Sequence, residues 1–353
     1  MLLDEPLLAV VAVIEIDASY GEGGGQLVRM AVALSALTGS ALRLTNARAG
    51  RPKPGLAPQH LAALRAVAAL CDARCEGLEL RSTSFTFEPR SRPKGGELRV
   101  EVGTAGSVTL VLQALLPILL GARGPARVVV AGGTDVRMAP PWDYFREVLL
   151  RLLARMGLPV RASVARRGYY PRGGGEVAVE VQPGTPSALL MRERAGPRRV
   201  LGRAHVANLP LSIAERMRGA ALSALGREGD IGARVLGRED AFGTGGAVTV
   251  WAESDAGIVG ASRVAERGVR AEALGEAVGA ELAADMASGA ALDVHAADQV
   301  LVYMAMAKGA SSFTTRAVSS HARTAMWLLP QFLPVRFTVE PDGLLWRVSS
   351  AAA

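Results

Sequence analysis

Ser19-Tyr-Gly-Glu-Gly-Gly-Gly-Gln-Leu-Val-Arg29 places four glycines in the five positions 21–25, directly ahead of an apolar run with helical spacing. A glycine loop that opens a helix suits an anion, because the first N–H groups of the helix have no internal partner. This one holds Glu22 and no lysine. Tyr170-Pro-Arg-Gly-Gly-Gly175 repeats the aromatic start and the glycine triplet further along the chain. The similarity supports a larger repeat, or reflects a shared turn only.

Turn signals and hydrophobic period divide the chain into a unit of helix, strand, helix, strand, strand that occurs three times. The first copy is expected at 26–37, 41–45, 58–71, 77–80 and 84–88, and the second at 106–120, 126–131, 141–156, 160–165 and 176–181. The third is expected at 296–307, 311–315, 321–329, 335–339 and 344–348. One such α/β unit cannot bury both faces alone, so three units sharing a core are expected. Residues 194–289 do not fit the unit. They follow a Pro-, Gly- and Arg-rich loop and carry strands at 200–207 and 247–252 and helices at 212–225 and 271–287. The expected organisation is a large domain (1–193 and 290–353) interrupted by a smaller inserted α/β domain, 194–289.

The chain has 353 residues, half of them hydrophobic, with 40 Lys plus Arg against 33 Asp plus Glu and a formal charge of +7. That balance suits a polyanionic partner, RNA among them. Lysine is confined to Lys53, Lys94 and Lys308, so arginine carries nearly all the positive charge. The apolar run Leu7–Ile16 follows Asp4 and Glu5 and precedes no small-residue cleavage site, so it reads as a buried strand. Ala105–Ala122, interrupted by Gln113 and Pro117, reads as a core helix and not a membrane span. A soluble, cytoplasmic protein is expected. Cys71 and Cys75 match no zinc spacing and read as buried thiols.

No Gly-Lys pair exists, which excludes a Walker A loop, and Lys53 in RPKPG does not match the context of a ligase-type adenylated lysine. His321 follows Ser319 and Ser320, both suited to cap the helix that it enters. In a first helical turn the dipole keeps an imidazole neutral and nucleophilic, and the free N–H groups accept phosphate; a structural histidine is the competing reading. Asp298 and Gln299 could bind a purine or ribose, or could simply form a polar helix start capped by Asp293. Arg48 and Arg51 bracket a Pro/Gly-stiffened turn, either as a phosphate clamp or as a solvated basic loop.

SYGEGGGQLVR, RAGRPKPGLAPQHL, GTAGSVTLVLQALLP, GGTDVRMAPPWDYF, YYPRGGGE, HAADQ and SSHARTA occur here in this order. From about Ile14 to Val348 the chain thereby resembles the RNA 3′-terminal phosphate cyclases. The resemblance implies an α/β (α+β) fold of three repeats, each with two helices and a four-stranded sheet like the C-terminal domain of a translation initiation factor. A small domain would be inserted before the third. It also implies a reaction: a histidine takes AMP from ATP and passes it to an RNA 3′-phosphate, and the neighbouring 2′-OH closes a 2′,3′-cyclic phosphate.

Carried over by motif, the nucleophile would be His321. Gln113 and the segment His295, Ala296, Ala297, Asp298 and Gln299 would bind the adenylate; bacterial members usually carry tyrosine where this chain has His295. Glu22 would hold Mg²⁺ or Mn²⁺. Arg29, Arg48, Arg51, Gln59 and His60 would be candidates for the pyrophosphate or the RNA terminal phosphate. A non-catalytic ribosome-biogenesis paralogue of the same fold lacks the histidine, and a plain RNA-binding protein would need more stacking aromatics than 5% of the chain. The enzyme is the favoured expectation; the oligomeric state is left open.

Overall fold

A computed structural model describes residues 13–191 and 198–352. The expected strand over Leu7–Ile16 lies largely outside the described residues; its end forms the strand Ile14–Asp17. The expected boundary at Arg194 also lies outside them.

Three sheets share one order of strands. The first runs Ile14–Asp17, Leu42–Thr45, Phe85–Glu88, Arg74–Glu76. The second runs Gly96–Glu101, Ala126–Gly132, Gly175–Val181, Arg161–Gly168, with Ala241–Phe242 added at its far edge. The third runs Leu190–Met191, Ser311–Thr315, Leu345–Ala352, Val335–Asp342. Among the four common strands of each, the first pair is parallel and the rest antiparallel, so the leading strand must be joined to the next by a crossover helix; the added Ala241–Phe242 pairs in parallel. Those helices are Gly25–Thr38, Val108–Leu120 and Val294–Met306, and each sheet has a second helical stretch: Pro58–Cys71, a run beginning at Trp142, and Ser320–Leu328.

The helices pack on one another because their apolar faces are too wide for one sheet to cover. A single core cluster joins Leu27 and Val32 to Val111 and Leu115, and both to Val300 and Leu301. Residues 199–288 form a fourth sheet, Asp230–Leu236, Arg199–Ala207, Gly245–Ser254, Gly257–Val264, backed by the helices Leu211–Leu225 and Ala271–Ser288. They enclose a separate core around Val206, Met217, Val250 and Val278. Gly275 lets the two helices close: a Cβ there would sit 2.9 Å from the Ala221 nitrogen.

Several expectations need correction. The unit starts with a strand, not a helix, and Gly96–Glu101, Asp230–Leu236 and Gly257–Val264 carry strands that the periodicity did not reveal. The first two are sheet edges with few buried side chains, so the inward-outward alternation is weak. In the third, Gly260 interrupts the apolar run because a Cβ would meet the Val148 side chain at 2.6 Å. The strand expected at 77–80 lies instead at Arg74–Glu76, since Gly77, at φ +73°, already turns the chain. The helix expected over 141–156 contains a π-helical segment, Phe145–Leu149.

Cys71 is buried and Cys75 half-buried; both are free thiols, and burial pushes Cys71 up to about 12. Among the described residues no helix is long and apolar enough to cross a membrane.

Candidate active site

The glycine loop bends because Gly21 and Gly23 adopt φ of +65° and +54°, values open to glycine at little cost. Asp17 braces its entry, accepting from the Ser19 N–H at 2.9 Å and from Asn46 Nδ2 at 3.0 Å. The loop needs glycine for space as well as for turning. A Cβ on Gly24 would lie 2.9 Å from Arg51 Nη2, and one on Gly25 would strike the His60 ring and lie 3.1 Å from Arg29 Nη1. Gly24 caps the helix Gly25–Thr38 without a side-chain bond, so the first N–H groups stay available.

Arg29 is 8% exposed, and among the described residues it has no carboxylate within ion-pairing distance. Burial, then the neighbouring Arg48 charge, lowers its pKa to about 10, so it stays charged at neutral pH. His60 is buried beside it and is pushed down to about 3 by burial and by Arg29, Arg48 and Arg51. Its Nδ1 accepts from the Ala57 N–H at 3.3 Å, which leaves the ring proton of the neutral imidazole on Nε2, towards Gly25. Arginines and an N–H donor converge here on one helix N-terminus, an arrangement that fits an anion.

From the far end of the chain comes the helix Ser320–Leu328, capped by Ser319, whose Oγ accepts from the Ala322 N–H at 2.9 Å. His321 occupies its first turn, and its Nδ1 lies 3.3 Å from Glu22 Oε2. Ser320 Oγ donates to the other oxygen, Glu22 Oε1, and Arg51 Nη2 lies 3.3 Å from Oε2. Gln26 Nε2 reaches the His321 carbonyl at 3.5 Å. Tyr20 stacks on Trp327, with centroids 4.0 Å apart, and Thr324 packs against Gly21. The loop and the helix are therefore keyed together over their length.

The His321 pKa lies below its usual value, chiefly because the ring is half-buried; Arg29, Arg51 and His295 push the same way and Glu22 opposes them. Burial and these arginines are physical causes beyond the helix dipole expected from sequence.

Asp298 is buried and accepts from Ser319 Oγ at 3.2 Å. Burial raises its pKa well above the carboxylate range, with Asp293 and Glu22 adding to the rise. Gln113 Nε2 donates to Gln299 Oε1 at 2.6 Å, and Gln299 Nε2 donates to the His295 carbonyl at 2.9 Å. The His295 side chain is exposed, 3.8 Å from Glu281. Ala296 and Ala297 are buried, so only their backbone could meet a ligand. Asp293 caps the helix Val294–Met306, accepting from the His295 and Ala296 N–H groups, and also accepts from Tyr144 Oη at 2.7 Å.

Glu22, Arg29, Arg51, His60, Asp298 and His321 thus belong to one neighbourhood, and Gln113 and Gln299 pair beside it. Two further sequence candidates bond to nearby backbone: Arg48 donates to the carbonyls of Lys53 and Gly55, and Gln59 Oε1 accepts from the Ser107 N–H at 3.1 Å. Ser320, expected from sequence only as a cap, instead donates to Glu22. The repeated serine directly before His321 was the available signal.

Among the described residues, no group of three or more His, Cys, Asp or Glu gathers to hold a metal ion. A single carboxylate such as Glu22 still fits a hard cation whose remaining ligands are phosphate oxygens and water. A histidine in contact with a carboxylate, next to an arginine pocket, is chemistry suited to a phosphorylated substrate.

The family model described as RTC, RNA 3′-terminal phosphate cyclase, matches residues 20–339. The chain is 53% identical over 337 residues to the RNA 3′-terminal phosphate cyclase of Nitrosospira multiformis, covering 95% of each chain. It is 44% identical over 333 residues to that of Pyrobaculum neutrophilum, covering 94% of this chain and 96% of the relative. With the cyclase of Methanopyrus kandleri it shares 44% over 333 residues, covering 92% and 94%. The chain belongs to the RNA 3′-terminal phosphate cyclase family.

Proposed function

We propose that this protein is an ATP-dependent enzyme that converts an RNA 3′-phosphate to a 2′,3′-cyclic phosphate through a histidine–AMP intermediate. The contact of His321 Nδ1 with Glu22 carries the reading. A proton held on Nδ1 by the carboxylate leaves the Nε2 lone pair free, and a lowered pKa keeps the ring neutral. Nε2 attacks the α-phosphorus of ATP and the bond to pyrophosphate breaks. An oxygen of the RNA 3′-phosphate then takes the AMP and restores the imidazole. The 2′-OH attacks the activated phosphorus, losing its proton as AMP leaves and the cyclic phosphate closes.

Arg29, Arg51, His60 and the open helix start supply the positive field for the phosphates. Gln113, Asp298 and Gln299 line the adenosine side, where the exposed His295 ring offers a stacking face. Ala296 and Ala297 supply backbone. Glu22 would be the protein ligand of Mg²⁺ or Mn²⁺, which when bound neutralises phosphate charge. Arg48 and Gln59 act by shaping the loops that carry Arg51 and His60.

In the same reading, the three sheets of common order are repeats. Residues 194–289 form a domain inserted between 1–193 and 290–353, and the protein works in the cytoplasm. The separate core and the two free cysteines support these points. The alternative is a non-catalytic paralogue that binds RNA or assists ribosome assembly; the assembled His321, Glu22 and Asp298 favour the enzyme.

The test is incubation with α-labelled ATP and a divalent metal, followed by RNA bearing a 3′-phosphate. Acid-labile, alkali-stable label should form on the protein and leave as AMP once RNA is added; absence of that label would falsify the histidine–AMP route. A second measurement probes the pocket. Gly25→Ala, whose Cβ must displace His60, is expected to weaken ATP binding by about ten- to a hundredfold, the loss of one hydrogen bond to a charged group. Unchanged affinity in a titration would show that the nucleotide lies elsewhere.

A further inference from the structure

At one end of the second sheet four chain segments lie side by side. Ser107 bridges to Gly133, Asp135 bridges in parallel to Tyr169, and Gly168 pairs in parallel with Phe242. Several of their side chains reach into solvent. Met138 is 84% exposed, Tyr170 is 78% exposed, and Phe242 is partly exposed, with the Arg166 guanidinium 5.4 Å from its ring centroid. Arg137 and Arg172 stand among them, and Arg172 has no carboxylate within ion-pairing distance among the described residues.

The base beneath is rigid. Arg167 is buried and donates to Asp135 at 3.1 Å and to Asp143 at 2.8 Å, which ties the segments together. The segments also run on from the site already described. Gln59, next to His60, accepts from the Ser107 N–H. The Ser107 loop in turn packs on the turn that follows Tyr170: a Cβ on Gly173 would lie 2.7 Å from the Thr104 carbonyl.

We propose that Tyr170, Met138, Phe242 and Arg172 form a track for single-stranded RNA on the 5′ side of the terminal phosphate, leading away from the His60 pocket. The inference rests on the cyclase reading and extends it from the end of the substrate to its body. A protein partner would favour a contiguous apolar patch. Here isolated flat or flexible side chains alternate with cations, the combination by which single strands are held without sequence preference: bases stack and phosphates pair. The low aromatic content of the chain is no obstacle, because a short track needs few stacking rings, and Tyr170 and Phe242 supply two here.

The test compares a trinucleotide with a dodecanucleotide, both ending in a 3′-phosphate. The wild type should show a lower KM for the longer substrate. Tyr170→Ala is expected to raise KM for the dodecanucleotide about 5- to 150-fold, the range for one lost base stack, with little change in kcat or in the trinucleotide KM. Arg172→Ala should flatten the dependence of log KM on log salt by about 0.7 if it contacts one phosphate of a single strand. Both side chains are exposed, so an unchanged thermal midpoint is expected of each variant. Variants that match an active wild type on the dodecanucleotide overturn this inference alone and leave the side chains to a protein contact. A wild type that cyclises neither substrate overturns the cyclase reading, and this inference with it.

Discussion

His321→Ala is expected to take no label from α-labelled ATP and to lose cyclase activity by about 10⁴-fold or more, because in the covalent route the imidazole itself forms the bond to phosphorus. The loss should be chemical and not structural. His321 is half-exposed, and the cap of its helix is made by Ser319, so the variant should keep its fold. Two controls sharpen the result. His321→Asn can still donate to Glu22 but cannot carry AMP, and should be as inactive as alanine. RNA already adenylated on its 3′-phosphate bypasses the histidine, so both variants should still close the ring on it. Cyclisation of ordinary 3′-phosphate RNA by the alanine variant at a rate near wild type would dispose of the covalent route.

The second large effect belongs to Glu22→Gln. Orienting carboxylates of this kind fix the tautomer of a catalytic imidazole, and their amide replacements lower rates by up to about 10⁴-fold. Adenylation should therefore fall by about 10²- to 10⁴-fold. The pH profile adds a sign. His321 must be neutral to attack, and its pKa lies below 6.5 in the folded protein. The acid limb of the wild-type adenylation rate should then lie below pH 6.5. Glu22 is the influence that raises this pKa against burial, Arg29 and Arg51. Removing its charge should move the acid limb to still lower pH even as the plateau drops. A limb that moves up, or stays in place, would mean that Glu22 does not act through His321. Partial rescue of the variant by excess Mn²⁺ would separate the metal role from the orienting one.

Much of this was legible in the chain. The helix expected at 58–71 forms at Pro58–Cys71, and the strand expected at 311–315 at Ser311–Thr315, because a strong apolar period and clear turn residues bound both. Edge strands such as Gly96–Glu101 escaped notice because so few of their side chains face a core. The site divided along a similar line. Glycines at 21–25 and serines before His321 announce local backbone geometry, which sequence displays. The approach of Glu22 to His321 is a tertiary fact, set by the Tyr20–Trp327 stack and the close passage of Thr324 over Gly21. Arg48 and Gln59 show the converse: their sequence context displays side-chain chemistry but not the backbone bonds that each makes, Arg48 to the Lys53 and Gly55 carbonyls and Gln59 to the Ser107 N–H.

The short strand Leu190–Met191 has a consequence for assembly. It pairs with Ser312 and Phe313, and the Ala291 and Leu292 N–H groups bond to the Thr314 carbonyl, so the chain leaves and re-enters the third sheet at one strand. Closing a flexible loop of that length carries an entropy cost that rises only with its logarithm. The intervening residues lower it further if they collapse first, since 199–288 already hold a core of their own. During synthesis the two ends would then be delivered to Ser311–Thr315 by a folded clasp instead of by a random search. Cutting the chain inside that clasp should harm refolding of the third sheet far less than deleting the clasp's core.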